Sequence, residues 1–224
     1  MAIDYSKKTA GAPVSLSKVV LTKNAPAVSL TKHAPSGGIM RVNLNWNARP
    51  PSSGGGGFLK KLTASAAAGI DLDLGCLYEF TDGTKGVVQA LGNAFQARSN
   101  VSGETIIWLD GDDRSGQNQD GENLFINLDH VKEIKRILVF GFIYEGAANW
   151  ADAHGVVTLF PANSGPIEVQ LDEARNGARI CGVALLENHG GELTVRREVN
   201  YVDGGQSALD RAYGWGMNWA PGRK

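Results

Sequence analysis

Ile70-Asp71-Leu72-Asp73-Leu74-Gly75-Cys76-Leu77-Tyr78-Glu79-Phe80 is the stretch that decides the fold class. Successive side chains of a strand point to opposite faces, so Ile70, Leu72, Leu74, Cys76, Tyr78 and Phe80 share one side. Asp71, Asp73 and Glu79 share the other, with Leu77 as the exception. The alternation predicts a strand with one face on a core. Carboxylates at i and i+2 project from the same side, about 7 Å apart along the chain. Alone they make an ordinary polar face. Beside a second acidic element they make half of a cation site.

Met40, Val42, Leu44 and Trp46 alternate with Arg41, Asn43 and Asn45, which predicts a second half-buried strand. Further strands are expected over Val87–Leu91, Ile106–Leu109, Leu124–Leu128, Val156–Phe160, Ile167–Leu171, Ile180–Leu186 and Leu193–Val199. Ile137–Tyr144 is apolar throughout and predicts a central strand covered on both faces. Asp129–Glu133 reads as one helical turn, Asp172–Ala178 as a short helix and Gln206–Tyr213 as a last amphipathic turn or two. Strands recurring every ten or so residues, with Gly, Asn and Asp between them, predict an all-β fold. The form expected is a two-sheet β-sandwich with short helical turns.

Between the strands at 106–109 and 124–128 runs Asp110-Gly111-Asp112-Asp113-Arg114-Ser115-Gly116-Gln117-Asn118-Gln119-Asp120-Gly121-Glu122-Asn123. Five of the chain's 23 acids fall between Asp110 and Glu122, where even spreading would put about one. A loop pinned at both ends crowds its carboxylates, and crowded like charges favour a cation among them. Asp112, Asp113, Asn118, Asp120 and Glu122 offer only oxygen, which suits Ca²⁺ ahead of Mg²⁺. Asp71 and Asp73 are the candidates for the remaining ligands. The competing reading is a solvated acidic turn. The loop is no EF-hand, since its sixth position is Ser115 and its twelfth Gly121.

At 224 residues and 42% hydrophobic, the chain can bury one substantial core, and a net charge of −1 argues against general attraction to nucleic acid or anionic membrane. Cys76 and Cys181 lie in apolar runs and are expected as buried free thiols. The first eight residues lack a signal peptide's apolar core, and no apolar run reaches the ~18 residues of a membrane span. A cytoplasmic protein is expected.

Residues 1–38 carry five lysines against Asp4, with Leu21-Thr22-Lys23-Asn24-Ala25-Pro26 recurring as Leu30-Thr31-Lys32-His33-Ala34-Pro35. Short edge strands are expected there, with the lysines guarding the edges or meeting an acidic partner. Residues 48–69, with Pro50-Pro51 and Gly54 to Gly57, read as a flexible insertion. They lack the Lys-Ser/Thr pair of a phosphate-binding loop.

No catalytic constellation emerges. His33, His130, His154 and His189 have no metal-ligand spacing, and no G-x-S-x-G elbow is present. Glu145 could pair with Asp112 or Asp71 as the acid and base of a glycosidase, or complete a calcium site. Trp108 and Trp150 could stack on sugars or fill the core. The alternative function is therefore a calcium-stabilised sandwich that binds or cleaves carbohydrate.

Several of these stretches together resemble the TerD-type tellurium-resistance family of bacterial stress proteins. Val14-Ser15-Leu16-Ser17-Lys18 and Val28-Ser29-Leu30-Thr31-Lys32 resemble that family's N-terminal strands, and Asn45-Trp46-Asn47 stands where it has Gly-Trp-Asp. Asp71-Leu72-Asp73 and Gly111-Asp112-Asp113-Arg114-Ser115-Gly116 are similar to its Asp-Leu-Asp strand and Gly-Asp-Asn-Arg-Thr-Gly signature. Ile143-Tyr144-Glu145 and Gly155-Val156-Val157 follow in the family's order. The resemblance implies a calcium-binding sandwich with no catalytic role, linked to resistance against tellurite and other chemical stress. It implies Asp71, Asp73 and Asp112 as ligands, with Asp113 in place of the family's Asn. The loop's later half, Gln117 to Glu122, carries fewer acids than the family's. That implies weaker affinity, or one ion where relatives hold two. The expected organisation is a tail over 1–13, one domain over 14–214 containing the 48–69 insertion, and a tail over 215–224. Expected partners are calcium ions and proteins of a stress-response complex. No nucleic acid and no transmembrane segment are expected, and at most peripheral membrane association through those partners.

Overall fold

The computed structural model describes residues 17–30, 37–46, 70–110 and 121–220. The 1–13 tail, the 48–69 insertion and the loop positions Asp112, Asp113, Asn118 and Asp120 lie outside the described residues. Among the described residues thirteen strands form two sheets: β1 (Val19–Val20), β2 (Ala27–Ser29), β3 (Ile39–Asn45), β4 (Asp71–Phe80), β5 (Lys85–Val88), β6 (Gln96–Arg98), β7 (Thr105–Leu109), β8 (Glu122–Asn127), β9 (Ile134–Glu145), β10 (Gly155–Phe160), β11 (Ile167–Leu171), β12 (Ile180–His189) and β13 (Glu192–Val202). The first sheet has the order β1-β11-β10-β3-β8-β7-β6 and the second β2-β13-β12-β9-β4-β5. The all-β, two-sheet sandwich expected from the alternation is what forms.

The alternating residues meet between the sheets. Met40, Val42 and Leu44 of β3 pack with Leu72, Leu74 and Cys76 of β4 and Leu124 and Ile126 of β8 in one buried cluster. β9, whose Ile137–Tyr144 stretch is the apolar run, lies between β12 and β4, as that hydrophobicity requires. β1 and β2 each border a sheet, β1 parallel to β11 and β2 antiparallel to β13, so the described part of the lysine-rich arm edges both layers. Cys76 and Cys181 are buried free thiols.

The outer face of the second sheet carries a second core. Leu77, Leu138, Phe140, Ile180 and Leu185 pack there against Leu209 and Trp215. Leu77, the exception in the β4 pattern, belongs to this layer. Among the described residues two α-helices are present: α1 (Trp150–Ala153) and α2 (Gln206–Tyr213). Trp215, just beyond α2, is fully buried and donates its indole N–H to the carbonyl of Tyr78 at 3.0 Å. Packing therefore continues past 214 into the stretch expected as a tail. Arg136 stacks 3.8 Å from the Trp215 ring centroid and donates to the carbonyls of Tyr213 and Gly214, which satisfies the helix end.

Three local expectations are corrected. Asp172–Ala178 forms no helix. Glu173 donates its N–H to the Tyr201 hydroxyl and Arg175 bonds the Tyr201 carbonyl and Asp203, so tertiary partners hold the segment irregular. The unexpected helix is α1, started by the side chain of Asn149 accepting from Asp152 N and stopped at His154 with φ +51°. The strand expected over Val87–Leu91 ends at Val88, because a tight loop with Gly92 at φ +74° follows and Gln89 bridges Ala94.

Candidate metal site

β7 and β8 are antiparallel neighbours, and Asp110 N donates to the Asn123 carbonyl at 3.1 Å. The acidic loop therefore leaves and returns at one point on the rim of the sandwich. Gly121 closes that point with φ +68°, and a Cβ there would overlap the carbonyl oxygen of Leu44 on β3. Only glycine fits.

From this corner Glu122 reaches across to the other sheet. Its carboxylate Oε2 accepts the backbone N–H of Leu74 on β4 at 2.6 Å, and the residue is buried. Its acid is thus fixed one residue along β4 from Asp73, itself only 5% exposed. Asn43 on β3 supports the arrangement, donating its side-chain amide to the carbonyl of Glu122 and to Asn123 Oδ1 at 3.0 Å. Arg41 bonds the same Asn123 oxygen at 3.1 Å. Asn43 was placed by the alternation on a polar face, and nothing local in the sequence marks it as buried support for the loop.

Asp71 is half-buried and stands in register with Glu145 of β9, next to a register shift between Asp71 and Leu72. Like charges opposite one another on neighbouring strands repel, and a bound cation removes that cost. Of the candidate ligands, Glu122 is bound to the β4 backbone one residue from Asp73, across the two sheets. Asp71 lies two residues further along the same strand, with Glu145 opposite. Asp112, Asp113, Asn118 and Asp120 lie outside the described residues. Among the described residues no group of three or more His, Cys, Asp or Glu side chains is placed to hold a metal ion. A complete set therefore needs oxygens from the loop itself. The donors that are present, all carboxylate oxygens on rigid strands, fit a hard cation.

Trp150 is fully buried, with its indole N–H on the carbonyl of Ala178 at 2.9 Å, so it offers no platform for a sugar. Trp108 is half-buried and stacks on Phe125 with ring centroids 5.3 Å apart. His130 belongs to a separate cluster, between Glu133 at 2.8 Å and Glu104 at 2.7 Å. The Glu133 bond is the main cause of a raised His130 pKa.

No protein-family model matches the chain. Over 211 residues, 94% of its length, the chain is 47% identical to the tellurium resistance protein TerA of an Alcaligenes species. The chain is a homologue of a tellurium-resistance protein. It spans 60% of that relative's length. The crystal structure of a homologue of the telluride resistance protein TerD, from Streptomyces coelicolor A3(2), matches 77% of this chain and 94% of its own. The identity there is 22% and the TM-score 0.49. The resemblance to tellurium-resistance proteins expected from the sequence is met by the likeness to TerA.

Proposed function

We propose that this chain is a non-enzymatic calcium-binding stress-response protein whose acidic loop is ordered by Ca²⁺ and presented to protein partners. The observation that carries the reading is the bond from Glu122 to Leu74 N. It holds a loop-end carboxylate beside buried Asp73, on the strand where Asp71 faces Glu145. Asp71, Asp73 and Glu122 would hold the ion from the body of the sandwich, and Asp112, Asp113, Asn118 and Asp120 from the loop. Ca²⁺ accepts six to eight oxygens in flexible geometry, which suits donors drawn from a strand, a loop end and a loop. The ion would supply charge neutralisation, and the acidic surface would then present one shape to a partner.

The likeness to a protein named for tellurium resistance supports the stress-response role. Among the described residues no helix is long and apolar enough to cross a membrane. A cytoplasmic site of action is part of the proposal.

Thermal unfolding with Ca²⁺ or EDTA, followed by calorimetric titration, tests it. A ligand at a hundred times its Kd stabilises by about 2.7 kcal/mol. Ca²⁺ should therefore raise the Tm by several degrees, and Asp73→Asn should abolish most of the rise. An identical Tm in Ca²⁺ and EDTA would sink the proposal.

A further inference from the structure

Away from the acidic rim, the N-terminal arm crosses from one sheet to the other, leaving β11 after β1 and joining β13 at β2. Along this crossing lies a cleft of about 410 Å³, lined by Leu21, Lys23, Gln170, Asp172, Glu173 and Arg197 among others. That volume is within the range of small-molecule sites, about 300–1,000 Å³. Leu21 is buried and supplies an apolar wall.

Arg197 is the unusual member. It follows Leu193 and Val195 at the same alternation along β13, and both of those are buried in the main core. An arginine on that side of a strand ordinarily has a counter-ion. Here the guanidinium makes no hydrogen bond or ion pair among the described residues, although Asp172 and Glu173 line the same cleft. No ion pair joins Arg197 to either carboxylate. Lys23 reaches Glu173 only at 4.0 Å, with 80% of its side chain exposed.

The backbone beside Arg197 is also irregular. The β12–β13 register shifts between Gly182 and Ala184, and Val199 takes φ +43°. Left-handed backbone is costly for a β-branched residue and persists where the surroundings enforce it. Bulges of this kind re-aim nearby side chains.

Two cations and two carboxylates leave the cleft formally neutral. A simple anion would gain from Lys23 and Arg197 what it lost to Asp172 and Glu173, and a simple cation the reverse. A molecule bearing both charges satisfies both pairs. We propose that this cleft binds a free α-amino acid, its carboxylate on Arg197 and Lys23 and its ammonium on Asp172 and Glu173. The planar guanidinium is suited to receive the carboxylate with two parallel bonds.

The test adds each common L-α-amino acid singly to the full chain in EDTA, so that calcium plays no part, and follows the Tm. Hits go to calorimetry, with acetate and methylammonium as half-ligands. At least one amino acid should raise the Tm and bind one to one, and each half-ligand should bind at least tenfold more weakly. Arg197→Gln should weaken binding tenfold or more. Asp172→Asn, at an exposed position where folding is not at stake, should also weaken it, with an unchanged circular dichroism spectrum. The proposal is overturned if no amino acid shifts the Tm at millimolar concentration, if acetate binds as tightly as the amino acid, or if Asp172→Asn binds like the parent.

Discussion

Glu122 and Leu74 belong to different sheets, and the carboxylate of the first accepts the backbone N–H of the second at 2.6 Å. The bond spans the seam of the sandwich at the foot of the acidic loop. A buried hydrogen bond to a charged group contributes about 1.5–3 kcal/mol. Glu122→Ala should lower unfolding free energy by that much in EDTA, and Glu122→Gln, which keeps an acceptor, by less. Urea denaturation measures both; equal losses would mean that the bond is not what the charge stabilises.

Gly121→Ala should be worse than the strain of left-handed backbone alone, which costs about 1–3 kcal/mol. The new methyl would overlap the Leu44 carbonyl oxygen, so β3 and β8 must separate. Gly83 is the control. Its φ is +89° with nothing within 4 Å of a Cβ, so Gly83→Ala meets strain only. Similar losses for the two variants would contradict the close approach.

The His130 cluster predicts a pH dependence. The bond to Glu133 raises the His130 pKa above 6.5, opposed by desolvation and aided by Glu104. Ser99 and then His130 lower that of Glu133 below 4.5, opposed by burial and by the nearby charge of Asp82. A raised histidine stabilises the fold fully below its unfolded pKa and stops doing so as pH rises through its folded value. A lowered glutamate stabilises above its unfolded pKa and stops doing so as pH falls through its folded value. The cluster therefore contributes most between about pH 4.5 and 6.5 and fades on the alkaline side. His130→Gln should flatten the decline in Tm between pH 6.5 and 8. An unchanged slope would refute the assignment.

Asp210 organises the segment after α2. It accepts from Gly216 N, Met217 N and the Trp219 indole at 2.9–3.0 Å while only 4% exposed. Asp210→Ala strands these donors and should cost about 2–4 kcal/mol. Trp215→Ala should cost about 3–5 kcal/mol by emptying the outer core. Despite burial, which raises it, the Asp210 pKa is lowered by the bonds from Trp219, Met217 and Gly216. Its contribution is therefore present above pH 3.8 and is lost as pH falls through the folded value. Wild-type stability for either variant, measured by chemical denaturation, would mean that the segment is not part of the folded body.

Much of the architecture was legible because strand alternation is a local property. Leu72, Leu74 and Cys76 face a core wherever their neighbours lie, and β9 had to be central because its Ile137–Tyr144 stretch has no polar face to expose. Leu77 shows the limit. Its place in a second core depends on Trp215, 138 positions away, and no window around residue 77 contains that partner. Asp172–Ala178 shows the same limit for helices, since Tyr201 and Asp203 hold it in an irregular path.

The candidate site divides in the same way. The clustering of acids at Asp71, Asp73 and the 110–122 loop, between and along expected strands, can be read locally, because composition and period are written along the chain. Tertiary packing alone puts Glu122 on the backbone N–H of Leu74 rather than outward, buries Asn43 against Glu122 and Asn123, and turns Arg197 to a cleft. Those facts depend on which strand of one sheet lies over which strand of the other. That register comes from packing the whole core at once, which no single stretch encodes.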